Sequence, residues 1–367
     1  MSRSATSRAV ARRAADLRRA LGERGIQALL VTDPVDVGYL SGFTGDDSWL
    51  VAGKGRGWLL TDSRFAEQAE TDCPDFAVTV RTGPMVEALS KIVRRKRLAR
   101  LGFDPETVSA ALLSRVRRGL KGVRLVRVPG VVSRLRLCKD ATEIAAICRA
   151  VRVAEEAWRG FRRLVRRGMT EQRLAAELDH QMRLAGADGP AFPTIVAIDA
   201  SAARPHAHPG GRRLRRGSVL LVDFGAQVAG YVCDLTRVLF AGKISPFARR
   251  VYGVVREAQA AGIARAGPGV AFKDVDAAVR GVIETAGFGR LFGHGTGHGI
   301  GRRVHEGPGL APRAGRGRLE AGMVVTIEPG IYLRGRFGIR IEDDVLITAT
   351  GRRVLTRVEK DLDEVVL

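Results

Sequence analysis

Two segments of this chain share a design that few folds can accommodate. In LLVDFGAQVAGYVCDLTR (220–237), two β-rich apolar runs flank Gly230, and Asp223 and Asp234 are symmetric about positions 228–229. A turn centred there sets the two carboxylates opposite each other on one hairpin face, with Cβ atoms ~5 Å apart. In VVTIEPGIYLRGRFGIRIEDDVLIT (324–348), Glu328 and Glu342 are symmetric about Gly335, and each again follows an apolar run. A carboxylate is costly to bury in an apolar run, and facing carboxylates repel unless a cation or a proton lies between them. One such hairpin alone also admits a less favoured reading as an exposed edge with surface aspartates. Two in one chain are hard to explain by chance. Arg340, two residues before Glu342, shares its strand face, where a planar guanidinium can neutralise or orient a carboxylate.

Between the hairpins lies FGHGTGHGIGRRVHEGPG (292–309), with Gly at 293, 295, 297, 299 and 301 and three of the six histidines at 294, 298 and 305. It is not a phosphate loop, since no Gly-Lys-Ser/Thr follows and the GxGxxG spacing fails. Alternating glycines let His294 and His298 approach a site with little Cβ bulk around them. Upstream, Arg204-Pro205-His206-Ala207-His208-Pro209 reads by itself equally as a site or as a solvent loop. Four carboxylates and an imidazole make a hard, oxygen-rich donor set, suited to one or two divalent cations of the Mn, Co, Fe or Zn kind. Two such cations can share a bridging water, lower its pKa and polarise a carbonyl, which points to a hydrolase.

Composition removes the competing classes. The chain has 367 residues, enough for two or three domains. Its four cysteines form no CxxC pair, which argues against a disulfide framework or a thiolate zinc site and fits a reducing compartment. No run of ~18 apolar residues is present, so no membrane span is expected. The net charge of +22 invites a nucleic-acid reading, but 53 of the 61 basic residues are Arg and aromatics make up only 5%. Side chains that would stack on bases are therefore scarce. The densest run, six basic residues in Lys91–Arg100, is expected to be a solvated face. Six arginines in the first twenty residues (3, 8, 12, 13, 18, 19) resemble a transit peptide, yet Ala9, Leu17 and Leu21 form a helical stripe leading straight into GIQALLVTDP (25–34). A first helix and a cytoplasmic protein are expected.

Strands are expected at 26–32, 48–52, 57–61, 99–103 and 123–128, alternating with helices in an α/β unit that offers few convergent catalytic residue types. A boundary follows near 130–140. Asp140 and Glu143 resemble a capping box for a long amphipathic helix, and Thr170 can cap the next. Further helices are expected near 246–265, after Ser245-Pro246, and 272–286, before Gly287.

These motifs resemble the pita-bread metallopeptidases, and within them the Xaa-Pro aminopeptidases and Xaa-Pro dipeptidases (prolidases). The resemblance rests on Asp-Phe-Gly-Ala (223–226), Cys-Asp-Leu-Thr-Arg (233–237), Gly-His-Gly-Ile-Gly (297–301), His-Glu (305–306), Glu-Pro-Gly (328–330) and Arg-Ile-Glu-Asp-Asp (340–344). YLSGFTGDDSWLV (39–51) and LLTDSRFAEQA (59–69) resemble the N-terminal domain of the proline-specific members, so the likeness covers nearly the whole chain. It implies an α/β (α+β) architecture: a creatinase-like α/β domain over 1–132, then a catalytic pita-bread domain over 133–367. It implies two divalent ions, manganese first, with cobalt, zinc or iron as alternatives, held by Asp223, Asp234, His298, Glu328 and Glu342. Glu328 would also shuttle the proton of a metal-bridging hydroxide. His206, His294 and His305 match the family's substrate-binding and intermediate-stabilising histidines, and Arg340 its outer arginine. The implied substrate is a peptide or dipeptide with proline in second position, and the implied assembly a homodimer.

One run departs from the pattern: Ile198-Asp199-Ala200-Ser201 stands where the family usually carries a Ser-Gly-x-Asn-type sequence. The resemblance also leaves same-fold alternatives: a metal-dependent lyase or an amidinohydrolase acting on a small molecule, or a non-catalytic basic binding module. The intact five-residue ligand set argues against the amidinohydrolase and the binding module.

Overall fold

The computed structural model describes residues 3–53 and 55–367. Met1, Ser2 and Lys54 lie outside the described residues, as do the side chains of residues 3–7, Arg3 of the basic cluster among them. The chain divides into two compact units, Met1–Arg136 and Leu137–Leu367. The expected cut at 132/133 falls inside the short helix Val131–Leu135, whose Val131 and Val132 are packed in the first unit's core.

The first unit is built on a six-stranded sheet in the order Ala77–Val80, Trp58–Thr61, Trp49–Gly53, Ala28–Val31, Arg100–Phe103, Arg124–Arg127. Alternate residues of the strand Ala28–Val31 enter opposite cores. Leu29 and Val31 pack with Leu17 and Leu21, while Ala28 and Leu30 pack with Leu89, Val93 and Val116. Burial on both faces is why this strand reads as an unbroken apolar run. The edge strand Ala77–Val80 was not anticipated, because its side chains are half-buried or exposed and leave a weak apolar signal. The N-terminal arginines sit on the helix Arg3–Gly22, which buries Val10, Leu17 and Leu21. In the helix Met85–Arg95, Leu89, Ile92 and Val93 are buried, while Lys91 and the basic residues 94–97 are exposed, a solvated basic face.

The second unit packs four long helices, Ala141–Leu164, Glu171–Leu184, Pro246–Arg265 and Phe272–Thr285, against several small sheets around one core. The caps are those the spacing predicts. Asp140 and Glu143 make both bonds of a capping box, Thr170 caps the second helix, and Ser245 precedes a Pro at the third helix's start. Trp158 stacks on Phe224 at 5.3 Å between centroids, tying the first of these helices to the strand that carries Asp223.

The first acidic hairpin departs from its expected register. Ala229 and Gly230 both take positive φ (52° and 74°), so the tight turn lies at 229–230, one residue later than symmetry suggested. Asp223 therefore pairs with Thr236, and Asp234 is its diagonal neighbour on the same face rather than its direct partner. Gly225 permits the close approach of the two strands beside Asp234, since a Cβ there would lie 1.9 Å from the Cys233 carbonyl oxygen. The second hairpin keeps its expected register. Pairs 330/340 to 333/337 and pairs 324/346 to 327/343 share one alignment, so Glu328 and Glu342 face each other where the five-stranded sheet gives way to the two-stranded ribbon.

Candidate metal centre

All nine residues selected from the sequence line a single cavity of about 440 Å³ in the second unit: His206, Asp223, Asp234, His294, His298, His305, Glu328, Arg340 and Glu342. His208 lines it too, with an apolar contribution from Phe192, Pro193, Ile195, Pro205 and Val304.

The acidic cluster is assembled from three chain regions. His298 lies on the strand Gly297–Gly299, and its Nε2 is 3.8 Å from Asp234 Oδ2 and 3.4 Å from Glu328 Oε1. One donor atom each from Asp234, His298 and Glu342 falls within 4.8 Å of the others. The alternating glycines answer a different need from the one expected. A Cβ on Gly297 would lie 1.9 Å from the Thr326 carbonyl oxygen, and one on Gly299 would lie 1.8 Å from that of Gly307. They let the His298 strand nest between neighbouring backbones rather than clear space around the imidazoles. His298 Nδ1 lies 3.1 Å from its acceptor, the Gly299 carbonyl oxygen, which leaves the Nε2 lone pair facing the carboxylates.

Arg340 is buried and fully engaged. It donates to Asp223 Oδ2 (2.6 Å), to Thr236 Oγ1 (2.9 Å) and to the Tyr332 hydroxyl (2.9 Å). Thr236 Oγ1 in turn donates to Glu342 Oε2 at 2.6 Å, so one hydroxyl links the arginine to a carboxylate of the cluster. His294 has both ring nitrogens bonded, Nδ1 with the Gly295 carbonyl and Nε2 with the Tyr332 hydroxyl at 2.9 Å. His305 is exposed, with its ring 4.4 Å from that of His298. His206 is exposed on a loop braced by Glu171, whose carboxylate accepts from the Ile198 and Gly210 amides. The departing run 198–201 forms a turn in which Asp199 accepts from Ser218 Oγ and the Val219 amide. Thr236, Thr326 and Tyr332 all stand inside the quoted segments, and Tyr332 fits the family pattern, but none is assigned a role from the sequence. A polar side chain on the inward face of an otherwise apolar strand was the available signal.

Electrostatics mark the cluster as built for a cation. Burial, reinforced by neighbouring carboxylates, pushes Asp234 and Glu342 well above the usual carboxylate range. Burial pushes Glu328 up to about 8, against the opposing pull of Arg340. His294 and His298 fall to about 4, chiefly through burial, and are neutral near pH 7. Oδ1 of Asp223 and Oδ1 of Asp234 are buried with no hydrogen-bond partner among the described residues. Unpaired buried carboxylate oxygens are expensive. A divalent cation would satisfy both and remove the mutual repulsion, so the donor set fits oxygen-preferring divalent metals.

The comparisons agree with this chemistry. The chain matches the model of metallopeptidase family M24 over residues 145–349 and that of the creatinase/prolidase N-terminal domain over residues 13–138. It is 36% identical to the uncharacterized peptidase YqhT of Bacillus subtilis, over 94% of this chain and 98% of that protein. Among solved structures it is similar to an X-Pro aminopeptidase from Thermotoga maritima (36% identity, TM-score 0.89, covering 94% and 98% of the two chains). It is also similar to an Xaa-Pro dipeptidase from Bacillus anthracis (34% identity, TM-score 0.94, covering 98% and 100%). The chain belongs to metallopeptidase family M24: it is a metal-dependent peptidase of the pita-bread fold with a creatinase-type N-terminal domain.

Proposed function

We propose that the protein is an exopeptidase that hydrolyses the N-terminal Xaa-Pro bond of peptides or dipeptides, with two divalent ions, manganese first, held by Asp223, Asp234, His298, Glu328 and Glu342. The observation that carries this reading is the convergence of Asp234, Glu328 and Glu342 on His298 in a cavity that Asp223 also lines, with one buried oxygen each of Asp223 and Asp234 unpaired. Bound divalent cations supply acidification of a water and polarisation of the scissile carbonyl. Glu328 is the base: its side chain accepts from Thr326 Oγ1 at 3.3 Å and faces the cavity, placed to take up a proton and return it to the leaving nitrogen. His206 and His305, exposed at the cavity wall, donate to the substrate carbonyl and stabilise the developing oxyanion. His294 contributes through Tyr332, which it holds together with Arg340, and Arg340 fixes Asp223.

Proline supplies the selectivity. Its peptide nitrogen has no N–H, so an enzyme that grips extended backbone by that donor gains nothing from it. The apolar lining of Phe192, Pro193, Ile195 and Val304 suits a ring instead. The names carried by the similar structures, an X-Pro aminopeptidase and an Xaa-Pro dipeptidase, support the same substrate class. A homodimer in the cytoplasm completes the reading, supported by the family resemblance and by four unpaired cysteines. The test is a panel of Xaa-Pro dipeptides, Xaa-Pro-Xaa peptides and their Xaa-Ala counterparts, against manganese-loaded and chelated protein. Hydrolysis confined to the proline series and abolished by chelation is the expected result. Equal rates on the alanine series, or full activity in verified metal-free protein, overturns it.

A further inference from the structure

Directly after the ligand-bearing Glu342 comes Asp343, whose side chain is fully buried and points away from the cavity into a knot of charges. Arg237, also fully buried, donates to Asp343 Oδ1 at 2.7 Å and to the main-chain oxygen of Glu342 at 2.6 Å. The residue before it, Thr236, holds the Glu342 carboxylate. Glu342 is thus gripped at its backbone and at its side chain by two consecutive residues of the strand Leu235–Phe240, which begins one residue after Asp234.

The knot is closed from outside by the segment 355–367. Its Thr356 Oγ1 donates to Asp343 Oδ1 at 2.6 Å, and its Val358 carbonyl accepts from Arg237 at 2.9 Å. Its Lys360 ammonium donates to Asp343 Oδ2 and, at 3.0 Å, to Gln259 Oε1 of the helix Pro246–Arg265. Tyr252 of that helix donates to the Lys360 carbonyl at 2.9 Å. The segment then runs on beside the strand that carries Thr236 and Arg237, where Phe240 donates its amide to Val365 and accepts from the amide of Leu367. None of Thr356, Val358 or Lys360 lines the cavity.

We infer that Lys360 is a positioning residue for the metal centre: through Asp343 and Arg237 it locks the backbone that aims Glu342 and Asp234 at one point. A charge placed there acts as the second layer of a metal site does, by fixing ligands that it does not itself join. Without Lys360, Asp343 retains Arg237, Thr356 and the Gln259 amide, which donates to its Oδ2 at 3.0 Å, but it loses one of its two cations and the link by which Lys360 joins Asp343 and Gln259 to one point of the outer segment. The ligands then wander, and binding pays for ordering them.

The inference rests on the proposed ligand roles of Glu342 and Asp234, and its test separates the two. Mn²⁺ alone is titrated calorimetrically into the metal-stripped full chain, for the wild type, Lys360→Met and Lys360→Arg. Lys360→Met is expected to weaken Mn²⁺ binding about tenfold, the lower end of effects for such outer residues. The Mn²⁺ concentration for half-maximal activity should rise with it, while kcat and KM at saturating Mn²⁺ stay near wild type. Lys360→Arg, which keeps the charge, should restore binding. A merely structural lysine would lower the unfolding midpoint of the metal-free chain and leave the Mn²⁺ Kd unchanged, and that result overturns the inference alone. A wild type that binds no divalent cation overturns the proposed function with it. Should Lys360→Met not fold, Thr356→Val, which removes a single hydroxyl from the same carboxylate, is expected to weaken Mn²⁺ binding in the same direction, and unchanged binding there is equally fatal.

Discussion

Glu328 and His206 are the residues on which the proposed chemistry can be separated from metal retention. Glu328→Gln keeps the side-chain volume and removes the proton acceptor, so kcat is expected to fall by ~10²–10⁴. Metal content, measured on the same samples by elemental analysis, shows how much of the loss reflects a weakened ligand. A near-normal kcat would assign the proton to another group. His206→Ala should lower kcat with metal content close to wild type, because an oxyanion donor is worth about 2.7–4 kcal/mol and acts on charge present only in the transition state. His208, two residues on, lines the same cavity, and His208→Ala serves as the control with a milder effect. A crippling His208→Ala beside a silent His206→Ala would move the oxyanion role to His208.

At the scale of elements, the strand Gly297–Gly299 owes its place to backbone proximity. Gly297→Ala drives a Cβ to 1.9 Å from the Thr326 carbonyl oxygen, a rigid neighbour. Overpacking of that kind costs about 1–3 kcal/mol or more, and chemical denaturation should show it together with lost metal binding. Gly293 is the comparison, because it is exposed and a methyl group there would meet nothing within 4 Å. Gly293→Ala should change stability by no more than about 0.5 kcal/mol. In the first unit, Asp62 caps the turn Ser63–Phe65, and its hydrogen bonds with Arg64, with Arg81 nearby, hold its carboxyl down to about 2. A depressed carboxyl contributes stability above its unfolded value, near 3.8, and loses it as pH falls through the folded one. The unfolding midpoint should therefore drop between about pH 4 and pH 2, and Asp62→Asn should flatten that part of the profile. An unchanged profile would mean that the cap carries no pH-linked stability.

For the whole molecule, the metal centre should contribute to folding as well as to catalysis. A cation that binds only the folded state at 100 times its Kd stabilises by about 2.7 kcal/mol. Scanning calorimetry with and without Mn²⁺ should show this as a raised midpoint, reversed by chelation, and no shift would mean that the carboxylates do not share a cation. All five proposed ligands lie within Leu137–Leu367, so the shift belongs to the second unit, while Asp62 and its acid sensitivity belong to the first.

What the sequence determined by itself is what neighbours along the chain can decide. The capping box at Asp140, the Ser245-Pro246 helix start and the turn at Gly335 depend on a few adjacent residues, and each was readable. So was the group of residues that lines the cavity, because carboxylates set into apolar runs and histidines set among glycines are visible without a fold. The register of the first hairpin was not, because it turned on Ala229 accepting a positive φ that its residue type does not advertise. The partners of Arg340 were hidden too. Asp223 lies 117 positions away and Thr236 lies 104 away, and only the packing of two hairpins from different sheets brings them within bonding distance. The knot at Asp343 is the extreme case. The sequence shows two adjacent aspartates after Glu342, and the tertiary structure alone assigns Asp343 to Arg237 and Lys360, because a buried charge takes its partner from whatever element the core brings against it.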